Sequence, residues 1–331
     1  MKITMAHGSG GRATGDLISE VFAQAFDNPV LKAMEDAAVV PASAQIAMTT
    51  DSFVVDPIIF PGGDIGRLSV CGTVNDLLMR GAKPQYLTCG FVLQEGLEVE
   101  LLQRVVDSFA RTAREAGVQV VAGDTKVIEA GGMSGGLIIN TAGVGFVPQD
   151  CSISAGNARP GDAILVSGNL GDHHAAILSS RLGIDNSIQS DCAPLGELVS
   201  ALLDAGIQVH CLRDVTRGGL ATVLKELAEQ SSVTMELREE LLPVDAQVRD
   251  FCGLMGLDPL YMGNEGKLVA IVDGADVARA KELLAGCTYG RDAALIGTVT
   301  DEKPGTALIH TNIGGIRELD VLYGEGLPRI C

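Results

Sequence analysis

Residues 99–125, VELLQRVVDSFARTAREAGVQVVAGDT, predict one helix followed directly by one strand. In the first part, the apolar residues recur at helical spacing and share one face; they are Leu101, Leu102, Val105, Val106, Phe109 and Ala113. Gly117 ends the helix, because glycine tolerates the left-handed backbone that commonly follows a last helical turn. The run VQVVAGDT then predicts a strand with Asp124 at its end, so this stretch indicates a chain of mixed helices and strands.

The rest of the N-terminal half continues this alternation. Two more helices are predicted at residues 13–26 and 66–82, and three more strands at residues 44–56, 86–93 and 136–147. This half therefore has at least four strands. Residues 1–13 are rich in glycine and predict an arm that precedes the first helix.

A turn-rich stretch that is poor in apolar residues, PQDCSISAGNARPGD at 148–162, marks a domain boundary. Beyond it, strands are predicted at 163–168, 267–272 and 293–299, and helices near 172–182, 194–205, 217–230 and 275–286. We therefore predict an α+β protein. Its N-terminal domain covers residues 1–150, its C-terminal α+β domain covers 151–323, and an irregular, flexible tail covers 324–331.

The composition excludes several classes of protein. Hydrophobic residues make up 47% of the 331 residues, which is enough for a sizeable core. Asp and Glu number 42 against 24 Lys and Arg, and a net charge of -18 argues against nucleic acid or an anionic membrane as the partner. No apolar run is long enough for a membrane helix, and MKITMAHGSGG is not a signal peptide, so we expect a cytoplasmic protein.

The glycines near the start permit more than one interpretation. No GxxxxGK[ST] phosphate-binding loop is present, whereas residues 8–13, GSGGRA, fit the GxGxxA pattern of dinucleotide sites. That pattern is weak here, because a dinucleotide site needs a preceding strand and only a few residues come before it. A flexible arm and a mobile lid over a bound nucleotide both remain open.

Five aspartates stand at strand ends or within apolar runs rather than in solvated charge clusters; they are Asp36, Asp51, Asp76, Asp124 and Asp214. A single such residue is usually a cap or a turn residue. Carboxylates that approach one another repel unless cations lie between them. Mg²⁺ shared between hard oxygen ligands and a polyphosphate would satisfy this requirement.

Short motifs along the whole chain resemble a known superfamily. In order, they are HGSGGR, EDAAVV, TTDS, VND, GDTK, RDVTRGG and NEGK. They resemble the superfamily of aminoimidazole-ribonucleotide synthetase, selenophosphate synthetase and thiamine-monophosphate kinase. Within it, HGSGGR, FPGGDIG, NEGK and the terminal PRIC are similar to the HypE family of hydrogenase maturation factors. PRIC is the most specific of these motifs, because the sister families lack it.

The resemblance implies an ATP-dependent carbamoyl dehydratase with two α+β domains and a homodimer formed through the N-terminal sheets. A carbamoyltransferase of the HypF type would load a carbamoyl group onto the terminal cysteine. The enzyme would convert this thiocarbamate to a thiocyanate while ATP becomes ADP and phosphate. The cyano group would pass to the HypC–HypD iron scaffold complex, for the iron of a nickel-iron hydrogenase.

The last residue, Cys331, is the predicted covalent carrier. The chain has eight cysteines and no CxxC pair, and we interpret the other seven as ordinary reduced thiols. The tail GEGLPRIC spans roughly 25 Å when extended, at about 3.3 Å per residue. That length lets a thiol visit a partner's active site and then its own, and a thiolate attacks carbon well.

The remaining site residues follow from the resemblance and from the chemistry that dehydration needs. The five aspartates match the superfamily's metal and phosphate positions, and Thr50 and Asn75 assist them.

Lys126 is the predicted cation for the γ-phosphate or the amide oxygen. Glu265 lies between Gly263 and Gly266 in GNEGK and is the first candidate for the general base. His7 is the second candidate. Arg217 precedes a helix whose N-terminus could hold phosphate. The pair His173–His174 is interpreted as a loop feature and not as a zinc site.

Two rival functions remain. A phosphotransferase of the same fold, acting on selenide or a thiamine phosphate, would not need PRIC. Selenophosphate synthesis would also be expected to use a reactive Cys near the Gly-rich arm, whereas the first cysteine is Cys71. A non-catalytic scaffold that only presents Cys331 would not need the aspartates. Measuring ATP turnover before and after carbamoylation would distinguish the dehydratase from these rival functions.

Overall fold

A computed structural model describes residues 2–8, 16–29, 40–131 and 134–322. These residues form two compact units. Among the described residues, the N-terminal unit runs through Gln149 except for Leu78–Gly81, and the C-terminal unit holds Leu78–Gly81 and the described residues from Asp150 onward. None of the helices described is both long and apolar enough to cross a bilayer.

The N-terminal unit is built on a four-stranded sheet. Its strands are β1 (Ile46–Phe53), β2 (Lys83–Gln94), β3 (Gln119–Ile128) and β4 (Leu137–Phe146). Their order across the sheet is β1-β4-β2-β3. The β1/β4 and β4/β2 pairs are antiparallel and the β2/β3 pair is parallel. A two-residue hairpin, Ile59–Phe60 with Gly63–Asp64, leads into the first long helix.

Two helices cover one face of this sheet, α1 (Ile65–Leu78) and α2 (Val99–Glu115). The Phe109 ring of α2 lies 6.0 Å from the Phe91 ring of β2, between ring centroids. The helices approach closely at Gly66, where an added Cβ would lie 2.3 Å from the Val105 carbonyl oxygen. Gly117 has a positive φ of 71°, as its predicted position after the helix requires.

The start of the chain corrects one expectation. Residues 2–8 are not part of a free arm, because Ile3 is buried and its backbone N–H donates to the Leu97 carbonyl at 2.7 Å. Met5–Gly8 form a 3₁₀ turn, and Ile18–Phe22 and Ala23–Ala25 form a short helical segment. The Gly-rich residues 9–15 lie outside the described part of the chain.

The C-terminal unit is built on a seven-stranded sheet. Its strands are β5 (Ala163–Val166), β6 (Val209–Asp214), β7 (Thr234–Arg238), β8 (Leu268–Val272), β9 (Ala294–Thr300), β10 (Thr306–His310) and β11 (Ile316–Leu319). Their order is β11-β10-β7-β9-β5-β8-β6, and only the β10/β7 pair is parallel. The sequence predicted three of these strands.

Five α-helices lie in the described part of this unit. They are α3 (Asp172–Leu182), α4 (Gly196–Asp204), α5 (Gly219–Ser231), α6 (Ala246–Met255) and α7 (Val277–Gly286). Short 3₁₀ turns occur at Ser134–Gly136 in the N-terminal unit and at Glu239–Leu241, Pro259–Tyr261 and Gly274–Asp276 here. The α5 residues Leu220, Leu224 and Leu227 are buried in one core with the inner residues of the sheet.

Candidate functional site

The helix-covered face of the N-terminal sheet carries one group of predicted site residues. Thr49 and Asp51 are two positions apart on β1, so they face the same side. The Thr49 hydroxyl donates to the Asp76 carboxylate of α1 at 2.8 Å. The Asp51 Oδ2 atom lies 4.0 Å from the position of a Cβ built on Gly72 of the same helix. Asn75, next to Asp76, is buried. The structure thus gathers Asp51, Asn75 and Asp76 around α1.

The opposite face carries Thr50 and, further across the sheet, Asp124 and Lys126. The Thr50 hydroxyl donates to the Thr141 carbonyl at 2.8 Å, and the Asn140 amide donates to the Asp51 carbonyl at 2.8 Å. The Lys126 Nζ atom lies 2.7 Å from both Asp124 carboxylate oxygens. This hydrogen bond from Lys126 holds the pKa of Asp124 below its usual range.

A β-bulge explains why Asp124 faces away from Asp51 and Asp76. Val120 pairs with Leu87 of β2, but Thr88 pairs with Ala122, so one residue of β3 is extra. An extra residue moves every later side chain to the other face. Without it, Asp124 would share the face of buried Val120. Asp124 therefore lies on the opposite face of this sheet from Asp51, and both stay predicted site residues.

The other N-terminal predictions have separate places. His7 lies in the turn Met5–Gly8, where its Nδ1 atom accepts the Thr4 backbone N–H at 3.0 Å. Asp36 and Cys331 lie outside the described residues, as does the PRIC motif.

The C-terminal unit holds Asp214, Arg217 and Glu265. Asp214 is the last residue of β6, and exposed Arg217 lies two residues before α5 begins at Gly219. Glu265 is only 4% exposed. The loop between Met262 and β8 is fixed by the buried Asn264, whose Oδ1 accepts the Gly171 N–H at 2.8 Å and whose amide donates to the Val215 carbonyl at 3.1 Å. This loop therefore lies beside the start of α3.

Two acidic residues near Glu265 were not predicted. The Asp191 carboxylate forms an ion pair with Lys267 at 3.3 Å. Burial, and then the negative charge of Asp191, raises the pKa of Asp172 to about 7, although Lys267 opposes this rise. Asp191 carries no local sequence signal, because its partners are more than seventy residues away along the chain.

The interpretation of His173–His174 as a loop feature is wrong. Both residues lie in the first turn of α3 and are buried, because the helix starts directly after Gly171. The His173 Nδ1 atom hydrogen-bonds the Ser190 hydroxyl at 2.7 Å. Burial lowers the pKa of His174 to about 4, so this imidazole is neutral.

Two family models match the chain. The N-terminal domain model of AIR synthase related protein matches residues 34–147, and the C-terminal domain model matches residues 159–310. These matches cover most of the chain, which therefore belongs to the AIR synthase related family.

Individual relatives narrow this assignment. The carbamoyl dehydratase HypE of Cupriavidus necator is 51% identical over 334 residues, which cover 100% of this chain and 95% of that protein. A crystal structure of hydrogenase maturation protein HypE in complex with ATP has a TM-score of 0.95 and 48% identity, over 99% of both chains. A HypE–HypF complex structure matches with a TM-score of 0.81 and 47% identity, over 92% of this chain and 99% of that chain. Within its family, the chain thus belongs to the HypE carbamoyl dehydratases, which confirms the resemblance in the motifs.

Asp172 predicts a specific dependence of stability on pH. A carboxyl with a pKa of about 7 in the folded state and 3.8 ordinarily binds its proton more tightly when folded. Its contribution to the free energy of unfolding therefore falls as pH rises from about 4 through 7. In Asp172→Asn this loss is absent, so the variant should gain stability relative to the native chain between pH 5 and pH 8. Because about two pH units lie between pH 5 and the folded pKa of about 7, the upper bound for this gain is about 2.7 kcal/mol.

Urea unfolding at both pH values measures this gain. The same stability difference between variant and native chain at pH 5 and pH 8 would contradict the assignment of the raised pKa to Asp172.

Proposed function

We propose that this chain is the ATP-dependent carbamoyl dehydratase that makes the cyanide ligand for the iron of nickel-iron hydrogenase. The observation that carries this proposal is 51% identity to a carbamoyl dehydratase HypE along the whole chain. A phosphotransferase of the same fold is not favoured, since the relatives with high identity are HypE proteins.

The proposed reaction removes one water from a carbamoyl group on the Cys331 sulfur. ATP supplies a phosphoryl group that turns the amide oxygen into a leaving group. Loss of phosphate and of two N–H protons then leaves a thiocyanate, ADP and phosphate. The protein must hold the phosphates, neutralise charge that develops on oxygen and accept a proton.

Mg²⁺ fits the residues around α1. Asp51, Asp76 and Asn75 offer only oxygen ligands and amide groups there, which suits a hard divalent cation. Mg²⁺ would supply positive charge for the phosphates of ATP. Asp36, Thr50, Asp124, Asp214 and Arg217 stay predicted members of the metal and phosphate site.

Lys126 and Glu265 have the best-supported roles among the remaining residues. Lys126 pairs with Asp124 and stays the predicted cation for a phosphate or the amide oxygen. His7 is the weaker base, because its Nδ1 atom already accepts a backbone N–H and a neutral ring then carries its proton on Nε2. Glu265 is therefore the proposed base.

The other cysteines support the assignment of Cys331 as the carrier. None of the seven described cysteines forms a disulfide bond, which is typical of the reducing cytoplasm that we propose for this protein. Burial raises the pKa of Cys89 to about 12 and that of Cys211 and Cys252 to about 11. Thiols with such pKa values stay protonated and unreactive.

The proposed partners are a HypF-type carbamoyltransferase, the HypC–HypD complex and a second copy of this chain. A related HypE forms a complex with HypF, which supports the HypF-type carbamoyltransferase as a partner.

The open face of the four-stranded sheet supports a second copy of this chain as a partner. No described helix covers that face, and it exposes Ile46 and Met48, the latter 70% exposed. Exposed apolar residues on a sheet face are typical of an interface.

Cys331→Ala should abolish carbamoyl loading while leaving ATP binding unchanged, because a terminal residue adds little to the core. Mass spectrometry of the C-terminal peptide, after incubation with the carbamoyl donor system and then with ATP, provides the test. The native peptide should gain the carbamoyl mass and then lose one water. Cys151→Ala, which removes a half-buried cysteine, is the matched control and should behave like the native chain. Carbamoyl mass on another cysteine, with Cys331 unmodified, would refute the proposal.

Asp76→Asn should weaken binding of Mg-ATP at least tenfold, or about 1.4 kcal/mol, because a carboxylate ligand becomes a neutral amide. Isothermal titration calorimetry measures this affinity. The matched control is Asp64→Asn, since Asp64 accepts the Arg67 N–H at 2.9 Å at the start of the same helix. Unchanged affinity in Asp76→Asn would remove Asp76 from the metal site.

Met48→Asp should convert the homodimer to monomers, because a charge would be buried in the proposed interface. Sedimentation at micromolar concentration measures the mass. Met255→Asp, at an exposed methionine of the C-terminal unit, should remain dimeric. A dimeric Met48→Asp variant, or a monomeric native chain, would count against this interface.

A further inference from the structure

The carboxylate of Asp191 binds the backbone of the proposed base directly. Its Oδ1 atom accepts the Glu265 N–H at 3.1 Å, and its Oδ2 atom accepts the Gly266 N–H at 3.2 Å. Lys267 supplies a third contact to Oδ2 at 3.3 Å. In return, the Glu265 carbonyl accepts the Ala193 N–H at 3.3 Å. One carboxylate therefore binds three consecutive residues of the NEGK motif.

This carboxylate is buried, which makes its contacts specific. The Asp191 side chain is 2% exposed and that of Lys267 is 11% exposed. A buried charge is tolerated only when it is paired and hydrogen-bonded, and here the two N–H groups and the ammonium group fulfil that condition. Hydrogen bonds to a charged group are also stronger than neutral ones. The Glu265 peptide thus has one well-defined position.

The two loops that meet here are themselves fixed. The Ser190 hydroxyl bonds His173 of α3 and accepts the Cys192 N–H at 3.1 Å, so Asp191 stands between two anchored residues. On the other side, a Cβ on Gly266 would lie 1.9 Å from the Asp191 carbonyl oxygen. Only glycine permits so close an approach at that position.

We propose that Asp191 is a positioning residue for the dehydration, which holds the peptide of Glu265 so that its side chain meets the substrate in one orientation. The proposal rests on the proposed function, and in particular on Glu265 as the base. Asp191 acts through Glu265 and is not itself a proton acceptor in this scheme. A general base displaced by about 1 Å can lose on the order of a hundredfold in rate.

Asp191→Asn keeps the shape of the side chain but places an amide NH₂ group against either a backbone N–H or Lys267. On the carbamoylated protein, kcat for nitrile formation should fall about 10- to 100-fold, while the KM for ATP and the extent of carbamoyl loading stay within about twofold of the native values. Hydrogen exchange of the peptide that spans Glu265 and Gly266 should become faster. A purely structural role would reduce the folded fraction without changing kcat per folded molecule.

A double-mutant cycle with Glu265→Asp tests whether Asp191 acts through Glu265. The shorter carboxylate of Glu265→Asp is already displaced. Asp191→Asn should therefore reduce the rate of the Glu265→Asp variant much less than it reduces the rate of the native protein. Two multiplicative effects would overturn the proposal, because they would mean that Asp191 acts independently of Glu265. A native kcat in the folded Asp191→Asn variant would overturn it as well.

Two further variants keep the result interpretable. Asp162→Asn is the matched control, because Asp162 is also buried in this unit, accepts the Arg159 N–H at 2.8 Å and pairs with His210. It should lower stability and leave kcat unchanged. If Asp191→Asn does not fold, Asp191→Asn with Lys267→Met removes the ammonium group that has lost its partner. This double variant should fold and remain slow, and a native kcat would overturn the proposal.

Failure of the proposed function has a different signature. In that case, native protein forms no nitrile, or Glu265→Gln forms it at the native rate. A failure of the Asp191 proposal alone leaves Glu265→Gln inactive, while Asp191→Asn is either fully active or slowed independently of Glu265.

Discussion

The alternation of side chains across the four-stranded sheet is the constraint on which the N-terminal unit depends. Successive residues of β1 face opposite sides, so Thr49 and Asp51 face α1 while Met48 and Thr50 face the open side. A single strand thereby contributes both to the acidic group around α1 and to the exposed apolar face. A shift of this strand would therefore alter the proposed metal site and the proposed interface together.

Much of the fold could be predicted from the sequence, because its signals are local. The apolar face of α2 and the glycine that ends it are set by spacing within a few residues. The strands β6, β7, β10 and β11 escaped prediction, since polar residues interrupt their apolar runs, whereas the predicted strands β5 and β8 are apolar throughout. The buried pair His173–His174 was misplaced for a similar reason, because polar residues in a helix are covered only by tertiary contacts.

The sequence indicated individual candidate residues for the site but not their arrangement. The motifs identified Asp51, Asp76 and Glu265, which the structure places on α1's side of the sheet and in a buried loop. They did not indicate Asp191, since a carboxylate in the run SDCA has no pattern of its own. Its importance arises from hydrogen bonds to Glu265 and Gly266, which join loops that are distant in sequence.

The extra residue in β3 has a consequence for how this family can change over evolutionary time. Loss of one residue upstream of Asp124 would restore regular pairing and rotate Asp124 and Lys126 beneath the helices, while apolar Val127 would turn toward the open side. Every residue type would be retained, yet the lineage would lose both the charged surface and part of its core at once. A single insertion or deletion upstream of Asp124 should therefore damage this unit more than most single substitutions in the strand.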